Sequence, residues 1–405
     1  MNEVNSSSKN NTKKNNFIWQ DPLLLDDLLT EDERIVRDTA NSYAQENLMP
    51  RILEANRQEK FDRNIMNEMG KLGFLGSTLP EKYGCADVNN VCYGLLAREI
   101  ERVDSGYRSA LSVQSSLVMW PIYTYGNEEQ KQRYLPGCVS GEIITAIAMT
   151  EPGTGSDLQG VKTNAILSED GSHYVLNGSK KVITNGQMAD LVIVVAKTDP
   201  EAGAKGTSLL LVETNSEGFV KGQILYNIGM KAQDTSELFF QDVKVPKANL
   251  LGEEGMGFIY LMQELPQERL SVSLAAVSCA ESILAQTVEY VKDRKAFGKT
   301  IASFQNTQFK LAEMSSTVTM ARVFIDKCLE LHLDKELDSV TAAKLKLLTT
   351  DIQCDVVDEC LQLHGGYGYM WEYPVARAYA DARVQKIYAG TNEIMKLIIG
   401  RDLIK

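Results

Sequence analysis

His173-Tyr-Val-Leu-Asn-Gly-Ser-Lys-Lys-Val-Ile-Thr-Asn-Gly-Gln-Met-Ala-Asp-Leu-Val-Ile-Val-Val-Ala196 is the stretch that separates the candidate folds. Short β-branched runs, His173–Leu176 and Leu191–Ala196, are bounded by Asn177-Gly178 and Asn185-Gly186, dipeptides that close hairpins. The same texture marks Ile143–Met149, Ser208–Val212 and Ser236–Val245. No helix of useful length interrupts these runs, so the pattern predicts a compact β domain over residues 143–252 and no Rossmann fold.

Outward from this core the period changes. Towards the N-terminus, Thr30-Glu-Asp-Glu33 is a capping box, followed by Ile35, Thr39 and Tyr43 at four-residue spacing. Further helices fit Asn64–Leu72, Val88–Val103 and Glu128–Tyr134, which gives a helical unit over residues 17–142. Towards the C-terminus, Pro266–Arg294, Phe304–Glu330, Ser339–Leu363 and Pro374–Tyr388 read as the helices of a four-helix bundle over residues 253–405. Residues 1–16 form an Asn/Ser/Lys tail with too little apolar content to fold, and order begins near Phe17. The fold class is α+β, in the order helical, β, helical.

Composition narrows the function. The 405 residues carry a formal net charge of -12, which argues against a nucleic-acid partner, since phosphate binding needs clustered cations. No apolar run is read as long enough to span a bilayer, so a soluble protein without membrane insertion is expected. Seven scattered cysteines without metal-ligand pairs predict free thiols in a reducing compartment and no metal site. Cys360 and His364, four apart on a helix, read as a core thiol and a satisfied imidazole. The tail contains no Arg and makes a poor transit peptide, which favours a bacterial-type cytoplasmic enzyme over a mitochondrial one.

The chemistry-bearing segments are individually plain. Met149-Thr-Glu-Pro-Gly-Thr-Gly-Ser-Asp157 leaves the first strand as a tight loop of N–H groups and hydroxyls. Tyr388-Ala-Gly-Thr391 breaks one helix and starts another, with Thr391 as cap and Ile394, Leu397 and Ile398 as an apolar stripe. Together with Ile183-Thr184-Asn185-Gly186, Asp293-Arg-Lys-Ala-Phe-Gly298 and Gln362-Leu-His-Gly-Gly366, in this order, they make a set. That set resembles the FAD-dependent acyl-CoA dehydrogenase family over residues 17–405. Within the family, Val103-Asp-Ser-Gly-Tyr-Arg-Ser109 and Val113-Gln-Ser-Ser116 resemble glutaryl-CoA dehydrogenase. From Ala146 onward, through Glu264-Leu-Pro-Gln-Glu-Arg-Leu270 and His364-Gly-Gly-Tyr-Gly-Tyr-Met-Trp-Glu-Tyr373, the chain resembles long-chain acyl-CoA dehydrogenase.

The resemblance implies FAD between the β domain and the C-terminal bundle. Met149, Thr150, Gly155 and Ser156 would line the flavin and pyrophosphate, with Ile183 and Thr184 beside the ring. Arg294 and Phe297 of one subunit, with Gln362 and Gly366 of a neighbour, would hold the adenylate half, and Gln305 would also touch the cofactor. Thr391 and Glu393 would meet the dinucleotide at the helix start. A homotetramer, as a dimer of dimers, and electron-transferring flavoprotein as acceptor follow from the same resemblance.

Most members place a Glu immediately before the Gly-Thr, whereas this chain has Ala389, which keeps an N–H and lacks a base. Long-chain members carry the base in Pro-Gln-Glu-Arg, which points to Glu268 as catalytic base, Arg269 as its organiser and Glu264 as the next candidate. Ser156, Tyr388, Ala389 and Gly390 would border the substrate. The expected reaction is α-proton abstraction and β-hydride transfer to FAD, giving the trans-2-enoyl-CoA. Arg108, with Glu101, Ser109 and Ser112 around it, matches the arginine that reads a distal carboxylate in glutaryl-CoA dehydrogenases. It equally suits an ion pair with Glu101 or Asp104 on its own surface. Oxidative decarboxylation of glutaryl-CoA is therefore the alternative, and an acyl-CoA oxidase or a non-catalytic flavin or CoA-ester binding protein stay open beside it.

Overall fold

The structure is a computed structural model describing residues 17–405, so the expected tail at 1–16 lies outside the described residues. Helix α1 (Glu31–Tyr43) starts as the capping box requires, with Thr30 Oγ1 accepting from Glu33 N at 3.3 Å and Glu33 Oε2 accepting from Thr30 N at 2.8 Å. Its buried residues are Glu33, Ala40 and Tyr43; of the expected Ile35, Thr39 and Tyr43 stripe only Tyr43 is buried, and Ile35 is 56% exposed. A π-turn at Ala44–Leu48 joins α1 to α2 (Met49–Gln58), and α3 (Asn64–Lys71) and α4 (Asn90–Glu101) follow. Helix α5 (Ser105–Ser112), which apolar spacing does not signal, continues through a π-turn, Val113–Met119, into α6 (Trp120–Tyr125). Asp104 starts α5 by accepting from Gly106 N at 2.8 Å and Tyr107 N at 3.2 Å. Helix α7 spans Glu128–Ser140.

The strands are β1 (Thr145–Ala148), β2 (Asn164–Leu167), β3 (His173–Thr184), β4 (Leu191–Lys197), β5 (Thr207–Glu213), β6 (Phe219–Ile224), β7 (Thr235–Pro246) and β8 (Leu250–Leu251). They form one sheet in the order β6-β7-β3-β2-β4-β5-β8, with β1 parallel to β4. Neither expected hairpin exists. Asn177-Gly178 lies inside β3 at a bulge against β7, where Gly178 has φ +148° and an added Cβ would meet Thr163 Oγ1 at 2.4 Å. Asn185-Gly186 does turn, with Asn185 at φ +63°, but β2 lies between β3 and β4.

Strand alternation explains how the layers stack. Val192, Val194 and Ala196 of β4, with Leu210 and Val212 of β5, share the sheet's own core with Leu176, Val243 and Val245. The alternate residues Leu191, Ile193, Val195, Leu209 and Leu211 point the other way and pack with Ile65, Leu111 and Met119 of the N-terminal helices. Both strands read as continuous apolar runs because both faces are covered.

Helix α8 (Gly257–Asp293) begins nine residues before the expected Pro266, which sits inside it. It is also long and apolar enough to cross a membrane, with an 18-residue window of mean hydropathy 1.3, so the expectation that no run reaches that length was wrong. Most of that window, 61%, is buried, because α8 is the central helix packed on α4, α9 and α10. A hairpin of β9 (Lys295–Ala296) and β10 (Lys299–Thr300) leads to α9 (Gln305–Leu333) and α10 (Ser339–His364), then to the shorter α11 (Pro374–Gln385) and α12 (Asn392–Leu403). Glu281 of α8 ties the units together, bonding Arg98 of α4 at 2.6 Å and Arg322 of α9 at 3.3 Å. Cys360 is buried, and its carbonyl oxygen lies 2.8 Å from His364 Nδ1, so the pair is structural.

Candidate active site

After α11 the chain makes a tight reversal. Tyr388 N donates to Val384 O at 3.1 Å, Ala389 and Gly390 adopt left-handed φ of +51° and +90°, and Asn392 N donates to Lys386 O at 3.0 Å. Thr391 caps α12 as expected, accepting from Ile394 N at 3.3 Å. The predicted stripe behind it is less regular, since Met395 is the buried apolar residue and Leu397 is exposed. The N–H groups of Ala389, Gly390 and Thr391 have no protein acceptor among the described residues. Three free donors at a left-handed turn and helix start form a concave seat for electron-rich oxygens. Unanticipated from sequence, the fully buried Lys346 of α10 donates to Gly390 O at 2.8 Å and Asn392 Oδ1 at 2.9 Å.

Two carboxyl groups, Glu264 and Glu268, stand one turn apart on α8. Glu268 is half-buried; desolvation raises its pKa to about 7, with the Arg269 charge opposing the rise. Arg269 is buried, donates to Ser339 O at 3.4 Å, and has no partner for its Nε. Burial and then the Arg269 charge push Lys346 down to about 8, so Arg269 is within electrostatic reach of the lysine that holds the turn. Glu264, one turn earlier, is buried with neither carboxylate oxygen hydrogen-bonded. Burial first, then Glu268, holds its carboxyl well above the usual range.

Arg108 of α5 reaches the residue that enters the turn. Its Nε donates to Glu101 Oε2 at 2.8 Å, its Nη2 to Tyr388 Oη at 2.8 Å and its Nη1 to Ser112 Oγ at 3.5 Å. Tyr388 Oη donates in turn to Gln385 Oε1 at 2.6 Å. The surface-pair reading is therefore corrected in two respects: the pair with Glu101 is buried, and Asp104 caps α5 instead of meeting Arg108. Tyr93, which periodicity did not single out, joins Ser112 and Ser116 through its hydroxyl.

The loop after β1 is anchored by a buried pair that the motif reading did not use. Lys180 Nζ donates to Met149 O at 3.0 Å and Glu151 Oε1 at 2.9 Å, while Glu151 accepts from Lys162 N and Thr163 N. Lys181 N donates to Thr150 O at 2.9 Å, laying Met149 and Thr150 along the end of β3, which carries buried Ile183 and half-buried Thr184. Gly155 and Ser156 project beyond this anchor and are exposed, and an added Cβ at Gly155 meets nothing within 4 Å.

The other predicted cofactor residues lie apart from that loop within one chain. Arg294 sits 5.3 Å from the Tyr367 ring, so the Asp293–Gly298 and Gly365–Gly368 motifs are neighbours, but no hydrogen bond or ion pair joins either to Met149–Ser156 among the described residues. Arg294, Phe297, Gln305, Gln362 and Gly366 are exposed, Phe297 to 95%. A cleft of about 340 Å³ beside the α12 start is lined by the donors Arg383, Lys386, Thr391 and Lys396 together with the acids Asp351 and Glu393, and Asp351 pairs with Lys386 at 2.7 Å. The open glycine loop, the free N–H groups and the cations Arg383 and Lys396 fit an anionic dinucleotide. No cluster of three His, Cys, Asp or Glu side chains with metal-site spacing occurs among the described residues.

Three family descriptions match the chain in succession: "Acyl-CoA dehydrogenase, N-terminal domain" over residues 30–142, the middle domain over 146–243 and the C-terminal domain over 255–404. The chain belongs to the acyl-CoA dehydrogenase family. Members are FAD-dependent oxidoreductases acting on CH–CH groups. The mitochondrial long-chain specific acyl-CoA dehydrogenase of Sus scrofa is 48% identical over 379 residues, 93% of this chain and 87% of that protein. An acyl-CoA dehydrogenase structure from Geobacillus kaustophilus is 44% identical with a TM-score of 0.90, covering 93% of this chain and 99% of that one. A glutaryl-CoA dehydrogenase from Mycobacterium smegmatis in complex with FADH2 is 33% identical, TM-score 0.90, with 96% and 98% covered. The long-chain likeness includes the N-terminal third, and glutaryl-CoA dehydrogenase enters as a structural neighbour.

Proposed function

We propose that this acyl-CoA dehydrogenase removes the α-proton of an acyl-CoA thioester with Glu268 and yields the trans-2-enoyl-CoA. The observation that carries the assignment is a substitution of position: Ala389 in the turn has no proton acceptor, while α8 presents Glu268 as a desolvated carboxyl raised to about 7. A base poised near neutrality has the driving force for a weakly acidic C–H and is still ionised at working pH. The free Ala389 N–H would donate to the thioester oxygen as charge develops there. Arg269 keeps Glu268 from rising further and so keeps it ionisable. Bound FAD supplies hydride acceptance at the β-carbon.

The residues that would hold FAD are Met149, Thr150, Gly155, Ser156, Ile183 and Thr184 on the β domain, with Thr391 and Glu393 at the α12 start. Exposed Arg294, Phe297, Gln305, Gln362 and Gly366 fit an adenylate site completed by another subunit of a homotetramer. Electrons would leave to electron-transferring flavoprotein. A bacterial cytoplasm, or a mitochondrial matrix in a eukaryote, suits relatives from both settings.

Arg108 favours an uncharged acyl tail. Its charge is already matched by Glu101, so a distal carboxylate would bring a second anion to one buried cation. Anaerobic titration with butyryl-, palmitoyl- and glutaryl-CoA tests this reading. Straight-chain thioesters should bleach the flavin, and glutaryl-CoA should do so least. Glutaryl-CoA bleaching fastest with release of carbon dioxide would favour the decarboxylating reading. Rapid reoxidation in air with peroxide would indicate an oxidase, and no bleaching by any thioester a binding protein.

A further inference from the structure

Lys346 is placed where a charge is costly. It lies about two turns into α10 with its side chain fully buried, and its ammonium meets two acceptors, Gly390 O and Asn392 Oδ1, both in the turn that opens α12. Asn392 is oriented for this contact, since its Nδ2 donates to Thr350 Oγ1 and Asp351 Oδ1, each at 3.1 Å. An apolar side chain of similar volume would fill the same space without the desolvation cost. The buried charge therefore answers to something other than packing.

The backbone shows what it does. Gly390 C=O and Thr391 N–H share one peptide plane, so the Lys346 contact fixes that plane on the exit side of the turn. Tyr388 N on Val384 O fixes the entry side. Between these anchors lie only the left-handed Ala389 and Gly390. Ala389 carries a Cβ, for which that conformation is unfavourable, so these contacts and the Asn392 N–Lys386 O bond are what hold it there.

We propose that Lys346 is a positioning residue for dehydrogenation: by clamping the Gly390 carbonyl it holds the Ala389–Gly390 turn in the one arrangement that aims the Ala389 N–H at the thioester oxygen. This rests on the acyl-CoA reading above, and it assigns to α10 a part in carbonyl polarisation that neither Glu268 nor the cofactor residues supply.

The test uses Lys346→Met in the FAD-loaded enzyme, with the infrared C=O stretch of bound enoyl-CoA as the readout. The wild type should show the stretch displaced from that of free thioester. In Lys346→Met it should return towards the free value and kcat should fall about 10- to 100-fold, while KM and FAD content change less than threefold. Lys346→Gln, which keeps one shorter donor, should fall between the two and serves where Lys346→Met does not fold. An unshifted stretch and unchanged kcat in either folded variant would overturn the proposal, as would failure of both to fold, which would make Lys346 a structural ion only. A wild type that no acyl-CoA bleaches would instead overturn the functional reading itself.

Discussion

The Arg108 guanidinium of α5 donates to the Tyr388 hydroxyl at 2.8 Å, one residue before the left-handed turn at Ala389. The N-terminal helices thus touch the site through a hydrogen bond from an arginine whose charge is paired with Glu101. Removing Arg108 leaves Glu101 buried without its counter-charge, a loss of roughly 3–5 kcal/mol. Arg108→Met should lower the melting temperature sharply, and adding Glu101→Gln should recover most of the loss. A double-mutant cycle by thermal unfolding measures the coupling, and additive effects would show that the pair is not a unit.

Glu268 makes the reductive half-reaction pH-dependent. Burial raises its pKa to about 7, so the base is ionised above that pH and protonated below it. The rate of anaerobic flavin reduction should climb between about pH 6 and 8 and then level. Arg269 opposes the rise, so Arg269→Met should move the climb to higher pH. Stopped-flow reduction across the range reads both limbs.

Glu264 links stability to pH with a definite sign. Its folded pKa lies above the unfolded value near 4.5 because burial and Glu268 disfavour its charge. The native state therefore binds the proton more tightly, and stability falls as pH rises from about 4.5 through the folded pKa. Glu264→Gln should match the wild type near pH 4.5 and melt higher at pH 8, by an amount on the order of 1–3 kcal/mol. Scanning calorimetry at the two pH values decides it, and equal melting at pH 8 would contradict the burial argument.

Glu151 and Lys180 anchor the loop proposed to line the flavin. Burial lowers the Lys180 pKa to about 8, against the pull of Glu151. Glu151→Ala should cost roughly 3–5 kcal/mol by stranding that ammonium. The purified variant should also carry less FAD, measured as the ratio of flavin to protein absorbance.

Local signals carried much of this structure. The Thr30 and Thr391 caps and the apolar strands are near-neighbour effects, and they occur where the sequence places them. What sequence could not supply was mostly tertiary. Gly178 reads as a turn, yet it sits in a strand because Thr163 approaches its backbone too closely for a side chain. Pro266 reads as a helix start, yet surrounding packing carries α8 through it. Asp104 is a legible cap for α5, but the residues after it lack the apolar periodicity that marks a helix. Lys346 and Glu151 give no local sign at all, since their partners lie 44 and 29 residues away.

The central claim is that the base stands on α8 and not in the turn at Ala389. Anaerobic reduction of Glu268→Gln by a straight-chain acyl-CoA tests it most directly. The account predicts normal FAD content, retained thioester binding and reduction slowed by about 10²–10⁴-fold. Near-normal bleaching in that variant would contradict it and send the search to Glu264.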